Sequence, residues 1–253
     1  MKEIRRRCLL IHGLFQITQF PILKKFGLYD FPLRTFLKKN RIVDLMQWIA
    51  GKPGVILFMN NELLYPRWQS SFYDILRTDP RSPILKQASL DGDLETWTKE
   101  LTTIVIKTCT ELGWQCAAKN YRGSTLPIKR NEYLSIDVMA FPSKDSRWKF
   151  PIAVFELENQ QRDEYIEYAF WKTICVRANL RILFCYRKNP DDGAQLVATL
   201  NREVLNGMKP EDKLNVEGET IICIGSRNNA GTFPYDFFRW WHLDKNLGTL
   251  TRM

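Results

Sequence analysis

The stretch "PIAVFELENQQRDEYIEYAFWKTICVRANLRILFCYR", residues 151–187, decides the fold. It reads as an apolar strand, a helix from about Gln161, and a second, fully buried strand from Leu180 to Arg187. Two strands joined through a helix pair in parallel, so this segment predicts the partly parallel centre of an α/β sheet. Strand side chains alternate between faces. Ile152, Val154, Glu156 and Glu158 therefore share one side, and Ala153, Phe155 and Leu157 the other. Two carboxylates leave the same face at the strand's C-terminal end.

Upstream, "DGDLETWTKELTTIVIKTCTELGW" (91–114) carries Leu94, Trp97, Leu101, Ile104 and Thr108 at helical spacing and stops at Gly113. "WQCAAKNY" (114–121) reads as a short strand and "RGSTLPIKRN" (122–131) as a basic loop. "EYLSIDVMAF" (132–141) reads as a strand ended by Pro142. Downstream come a helix in "DGAQLVATLNREVLNG" (192–207) and a strand in "ETIICIGS" (219–226). The expected order is α-β-β-β-α-β-α-β, a mixed sheet flanked by helices. "FFRWWHL" (237–243) predicts a core-sealing strand or a dimer contact, with base stacking as the alternative.

The first 90 residues read as a separate, mainly helical module, because prolines at 21, 32, 53, 66, 80 and 83 cut them into short pieces. A helix is expected in "NRIVDLMQWIAGKPG" (40–54). A hairpin turning at Asn60–Asn61 is expected in "VILFMNNELLYPRW" (55–68), and a short helix in "SSFYDILRT" (70–78). The predicted division is 1–90 and 91–253.

Charge supports that division. Net charge is +9, and residues 1–90 hold 15 Lys/Arg against 6 Asp/Glu, while residues 91–253 hold 22 of each. A basic excess with interleaved aromatics suggests a polyanionic partner; a solvated basic surface is the plainer reading. No apolar stretch approaches the roughly 20 residues that span a bilayer, so no membrane partner is expected. Six cysteines without CxxC spacing read as small hydrophobes in a reducing, cytoplasmic setting. Two histidines, His12 and His242, make a histidine metal site or a histidine-activated nucleophile a poor expectation.

The acids carry the chemistry. Asp137 sits in the middle of an otherwise apolar strand, where a carboxylate needs a cation, a donor or water. If its strand pairs antiparallel with that of Glu156, Asp137 and the Glu156/Glu158 pair converge on one hard divalent ion, Mg²⁺ or Mn²⁺. Such an ion activates water and neutralises a phosphodiester. On a helical projection Lys172 lies within about 60° of Gln161, Tyr165, Tyr168 and Ala169, which predicts an inward lysine near the carboxylates. The plainer readings are strand acids bridging to arginines, a strand-end Glu158 and a snorkelling Lys172.

With "SIDVMAF" and "VFELE" the pattern resembles the PD-(D/E)XK, or restriction-endonuclease-like, nuclease superfamily over roughly residues 91–225. The resemblance implies an αβββαβ core with Asp137 on its second strand and an acid-X-Lys tripeptide on its third. The chain departs from the pattern by placing Glu158 where the family has lysine and Ile136 where it has proline. Lys172 is then the candidate for a lysine that has moved to the next helix. Gln161 and Tyr165 fit a QxxxY helix signature of RecB-like members. An additional first-helix acid would be Glu100, with Glu95 as the alternative. The resemblance implies a metal-dependent endonuclease acting on DNA more readily than RNA, with Asp137, Glu156 and Glu158 as metal ligands. A homodimer is expected if both strands are cut. The alternative is a nuclease-like domain without turnover, kept as a nucleic-acid-binding or assembly module.

Overall fold

The computed structural model describes residues 63–253, apart from 122–124, 129, 131 and 144–145. The expected helix over 40–54 and the Asn60–Asn61 turn lie outside the described residues. Three helices come first: α1 (Leu64–Thr78), α2 (Ser82–Asp91) and α3 (Leu94–Glu111). A seven-stranded sheet follows in sequential order: β1 (Trp114–Ala118), β2 (Val138–Pro142), β3 (Ala153–Glu158), β4 (Leu180–Arg187), β5 (Glu219–Ser226), β6 (Phe238–Asp244) and β7 (Thr249–Arg252). Helix α4 (Asp163–Cys175) links β3 to β4. Helix α5 (Pro190–Thr199), a π-helical turn (Leu200–Leu205) and α6 (Pro210–Leu214) link β4 to β5.

The helical crossovers make β3, β4 and β5 parallel, while the other neighbours are antiparallel. This is the mixed, helix-flanked sheet expected from the order of elements. β4 is buried at all eight positions because helices cover both faces of the sheet centre. On one face α1, α2 and α3 pack on Phe155, Ile182, Phe184 and Trp240. On the other, α4 and α5 pack on Leu183, Cys185, Ile222 and Trp241. "FFRWWHL" seals the core: Phe238, Trp240, Trp241 and Leu243 of β6 are buried.

The compact unit begins at Leu63, not at residue 91. Tyr65, Trp68, Phe72 and Leu76 form the buried stripe of α1, and Trp68 stacks on Phe72 with ring centroids 4.9 Å apart. This helix also replaces the second strand of the expected hairpin. Pro66 does not break the chain here: it falls in the first turn, where its missing N–H costs no helical bond. Glu219 at the start of β5 accepts from the free N–H groups of Leu64 (2.5 Å) and Tyr65 (3.0 Å). Asp93 caps α3 by accepting from Thr96 N at 3.1 Å, and Gly113 leaves that helix at a φ of 78°.

Candidate functional site

Three elements bring the acids and the lysine together. Val138 is opposite Phe155 in the antiparallel β2–β3 ladder, so Asp137 and Glu156 are neighbours across it. Asp137 is not in mid-strand as expected; it occupies the bend just before β2. Its Oδ2 accepts from Leu157 N at 2.8 Å, which fixes the carboxylate against the edge of β3. Glu156 is buried on the α4 side of the sheet, with its Oε1 2.5 Å from Lys172 Nζ. Lys172, in the last turn of α4, also donates to Ser135 O at 2.7 Å.

Burial governs the electrostatics. It pushes the Glu156 carboxyl up to about 7, the Asp137 charge adds to the rise, and the Lys172 contact opposes it. Asp137 is raised as well, first by burial, against the Leu157 N–H and the Lys172 charge. Glu132 and, less strongly, Glu158 add to the rise at Asp137. Glu158 Oε1 turns back to accept from Gln160 N at 2.9 Å.

The α4 projection was about one step out of register. Ile166, Ala169, Phe170, Thr173 and Ile174 form the buried face, and Tyr165 and Tyr168 are exposed. Gln161 precedes the helix, so it does not share a helical stripe with Lys172. Among the described residues, the hydrogen bonds of Asp137, Glu156 and Lys172 do not include the exposed Tyr165. Phe170 and Ile174 have more apolar surface to bury than the amphipathic tyrosines, and they set the rotation. Lys172 falls at the boundary of the buried face, where its stem is covered and its ammonium reaches Glu156.

Glu100 is not at the site either: it is buried on α3 and pairs with Arg81 at 2.9 Å. Glu95, one turn earlier, borders an open cleft of about 460 Å³ with Thr98, Glu158, Asn159, Gln161 and Arg162. Asn159 was not singled out from sequence. It is buried, donates to Thr98 Oγ1 at 2.6 Å, and leaves Oδ1 without a partner among the described residues. An asparagine just after a strand is usual at a loop, so nothing in the sequence marked it.

Ser135 was also missed, because it acts through its carbonyl. The turn Tyr133–Ile136, closed by Ile136 N donating to Tyr133 O at 3.1 Å, has both central residues left-handed: Leu134 at a φ of 56° and Ser135 at 53°. Two-residue turns of this kind favour Asn-Gly or Gly-Gly. A left-handed conformation costs an ordinary L-residue about 1–2 kcal/mol. Here it is imposed on a leucine and a serine, and the turn aims the Ser135 carbonyl at Lys172.

Asp137 and Glu156 offer hard carboxylate oxygens, and Glu156 Oε2 is buried without a hydrogen-bond partner among the described residues. That donor set fits a Mg²⁺-like ion, which is usually held by one or two carboxylates with water completing its shell. Among the described residues, no three His, Cys, Asp or Glu side chains group closely enough to hold a metal ion. Glu158 therefore does not complete a three-acid set in this arrangement. Comparison with protein-family models, with curated proteins and with solved structures finds no match to this chain.

Proposed function

We propose that the chain is a metal-dependent nuclease of restriction-endonuclease-like type that hydrolyses phosphodiester bonds in DNA. The observation that carries this reading is the convergence of Asp137, Glu156 and Lys172 from β2, β3 and α4. The element order from α3 onward and the Asp-then-Glu placement on successive strands add support. Asp137 and Glu156 would hold Mg²⁺ or Mn²⁺. When bound, the ion would polarise the phosphate and lower the pKa of a water.

The chain's own groups do the positioning. Asp137 is held in place by Leu157 N–H. The Lys172 ammonium has three donors and spends two on Ser135 O and Glu156 Oε1. The third, without a partner among the described residues, would steady a non-bridging phosphate oxygen or the attacking water. Glu158, half-buried at the end of β3, would help to orient that water. Water adds to phosphorus, the bond to the leaving oxygen breaks, and that oxygen takes up a proton. Basic residues of the first 90 would contact the phosphate backbone without reading sequence. Cutting both strands would call for a second copy of the chain.

A second reading is a nuclease-like domain that binds nucleic acid or assembles with protein without turnover. It is favoured by the pair of acids, where three were expected, and by the glutamate in the motif lysine's place. Purified protein incubated with plasmid, linear and branched DNA in Mg²⁺ or Mn²⁺ separates the two. Metal-dependent cleavage lost in Asp137→Ala and Glu156→Ala is the expected result. Cleavage that persists in both variants overturns the site. Salt-sensitive binding with no cleavage of any substrate supports the second reading.

A further inference from the structure

Leu134 is strained and exposed at once. Leu134 is 73% exposed at the tip of the left-handed turn, so it gains little from the core in return for its backbone conformation. Exposed leucines are ordinary, and so are left-handed turns built from glycine or asparagine. An exposed leucine in a left-handed turn is neither. The turn is also tied to the site: Ser135 O holds Lys172, and Asp137 follows two residues later. Strain of this kind persists where surrounding contacts enforce it, and it gathers at functional sites.

We propose that Leu134 is a wedge that inserts between stacked base pairs of duplex DNA beside the Asp137–Glu156–Lys172 cluster. The inference rests on the nuclease reading and names the form of its substrate: a duplex opened or kinked at the step where the backbone is cut. Apolar side chains inserted between base steps unstack them, and burial of the leucine offsets part of that cost. The turn is suited to the task because it is narrow and braced by the Tyr133–Ile136 bridge and the Lys172 bond. The same β1–β2 connection exposes Lys119 and Arg130, cations of the kind that hold a phosphate backbone while a base step opens.

The test uses the full chain and a series of duplexes with 2-aminopurine at successive positions, whose fluorescence rises on unstacking. Ca²⁺ replaces Mg²⁺ so that binding is read without cleavage. Wild type is expected to brighten one position. Leu134→Met, which keeps an apolar side chain, should do the same. Leu134→Asn, which suits the left-handed backbone, should lose most of the signal and about ten-fold in duplex affinity, with single-strand binding unchanged. It should also melt about 1–4 °C higher, because strain is relieved while Ser135 O still holds Lys172. Leu134→Asn that unstacks like wild type, or melts lower, overturns the wedge. If wild type also cleaves, the nuclease reading survives that result and the exposed leucine belongs to a protein contact. A wild type that binds no duplex overturns both readings.

Discussion

Lys172 Nζ lies 2.5 Å from Glu156 Oε1, although the two residues come from a helix and a strand separated by a full loop. The position two residues beyond Glu156, where the resemblance calls for lysine, is Glu158. The cation beside Glu156 comes from α4. Both partners are largely covered, with side chains 19% and 8% exposed. Removing one charge then strands the other, which costs more than the pair contributes net.

A double-mutant cycle follows. Lys172→Met should destabilise the protein by about 2–4 kcal/mol, since it leaves Glu156 buried beside Asp137 without its cation. Lys172→Met with Glu156→Gln should be more stable than Lys172→Met alone, giving a coupling of about 1–3 kcal/mol by urea denaturation. Additive losses would show that the contact carries no energy.

The pH dependence of the metal-free protein has a defined sign. Glu156 is raised from 4.5 to about 7 in the folded state, so between those values the folded protein binds more protons than the unfolded one. The stabilisation tied to its protonated form is complete below about pH 4.5 and is lost as pH rises through about 7. Glu156→Gln should flatten that part of the stability profile. Mg²⁺ should raise the melting temperature of wild type at pH 7.5 and leave Glu156→Gln unmoved.

The sheet was legible because its signals are local. Runs such as Leu180–Arg187 are apolar at nearly every position, and the helices between them carry caps and stops at Asp93 and Gly113. Asp137 and Glu156 were legible for the same reason, since a carboxylate in an apolar run is conspicuous. The errors fell where partners are distant in sequence. α1 looked like a fragment of a basic module because its cap, Glu219, lies 155 residues away. Glu100 was expected as an additional site acid because nothing nearby announced Arg81 as its partner. Ser135 contributes a backbone carbonyl, which no side-chain pattern displays.

Asp137 separates structure from chemistry. Its carboxylate satisfies Leu157 N–H at 2.8 Å, so Asp137→Ala leaves that donor without its partner at a cost of about 1–3 kcal/mol. Asp137→Asn keeps an acceptor and should stay within about 1 kcal/mol of wild type by urea denaturation. Both variants should lose Mg²⁺-dependent cleavage by at least about a thousand-fold, about 4 kcal/mol in the barrier. Asp137→Asn that keeps near-wild-type cleavage would remove Asp137 from the metal site.

Glu219 provides the converse case, a half-buried acid whose role is architectural. It receives two N–H groups at the start of α1, favoured further by the positive end of the helix. Glu219→Ala should cost about 1–2 kcal/mol, and Glu219→Gln less, because an amide oxygen can still accept. Trp68 and Phe72 of α1 lie in one core with Phe155 and Phe184 of the sheet. The loss should therefore lower a single melting transition for the whole unit, by about 2–8 °C, with metal-dependent cleavage at 25 °C unchanged. A separate early transition confined to α1 would show that the helix is an appendage and not part of the fold that carries Asp137 and Glu156.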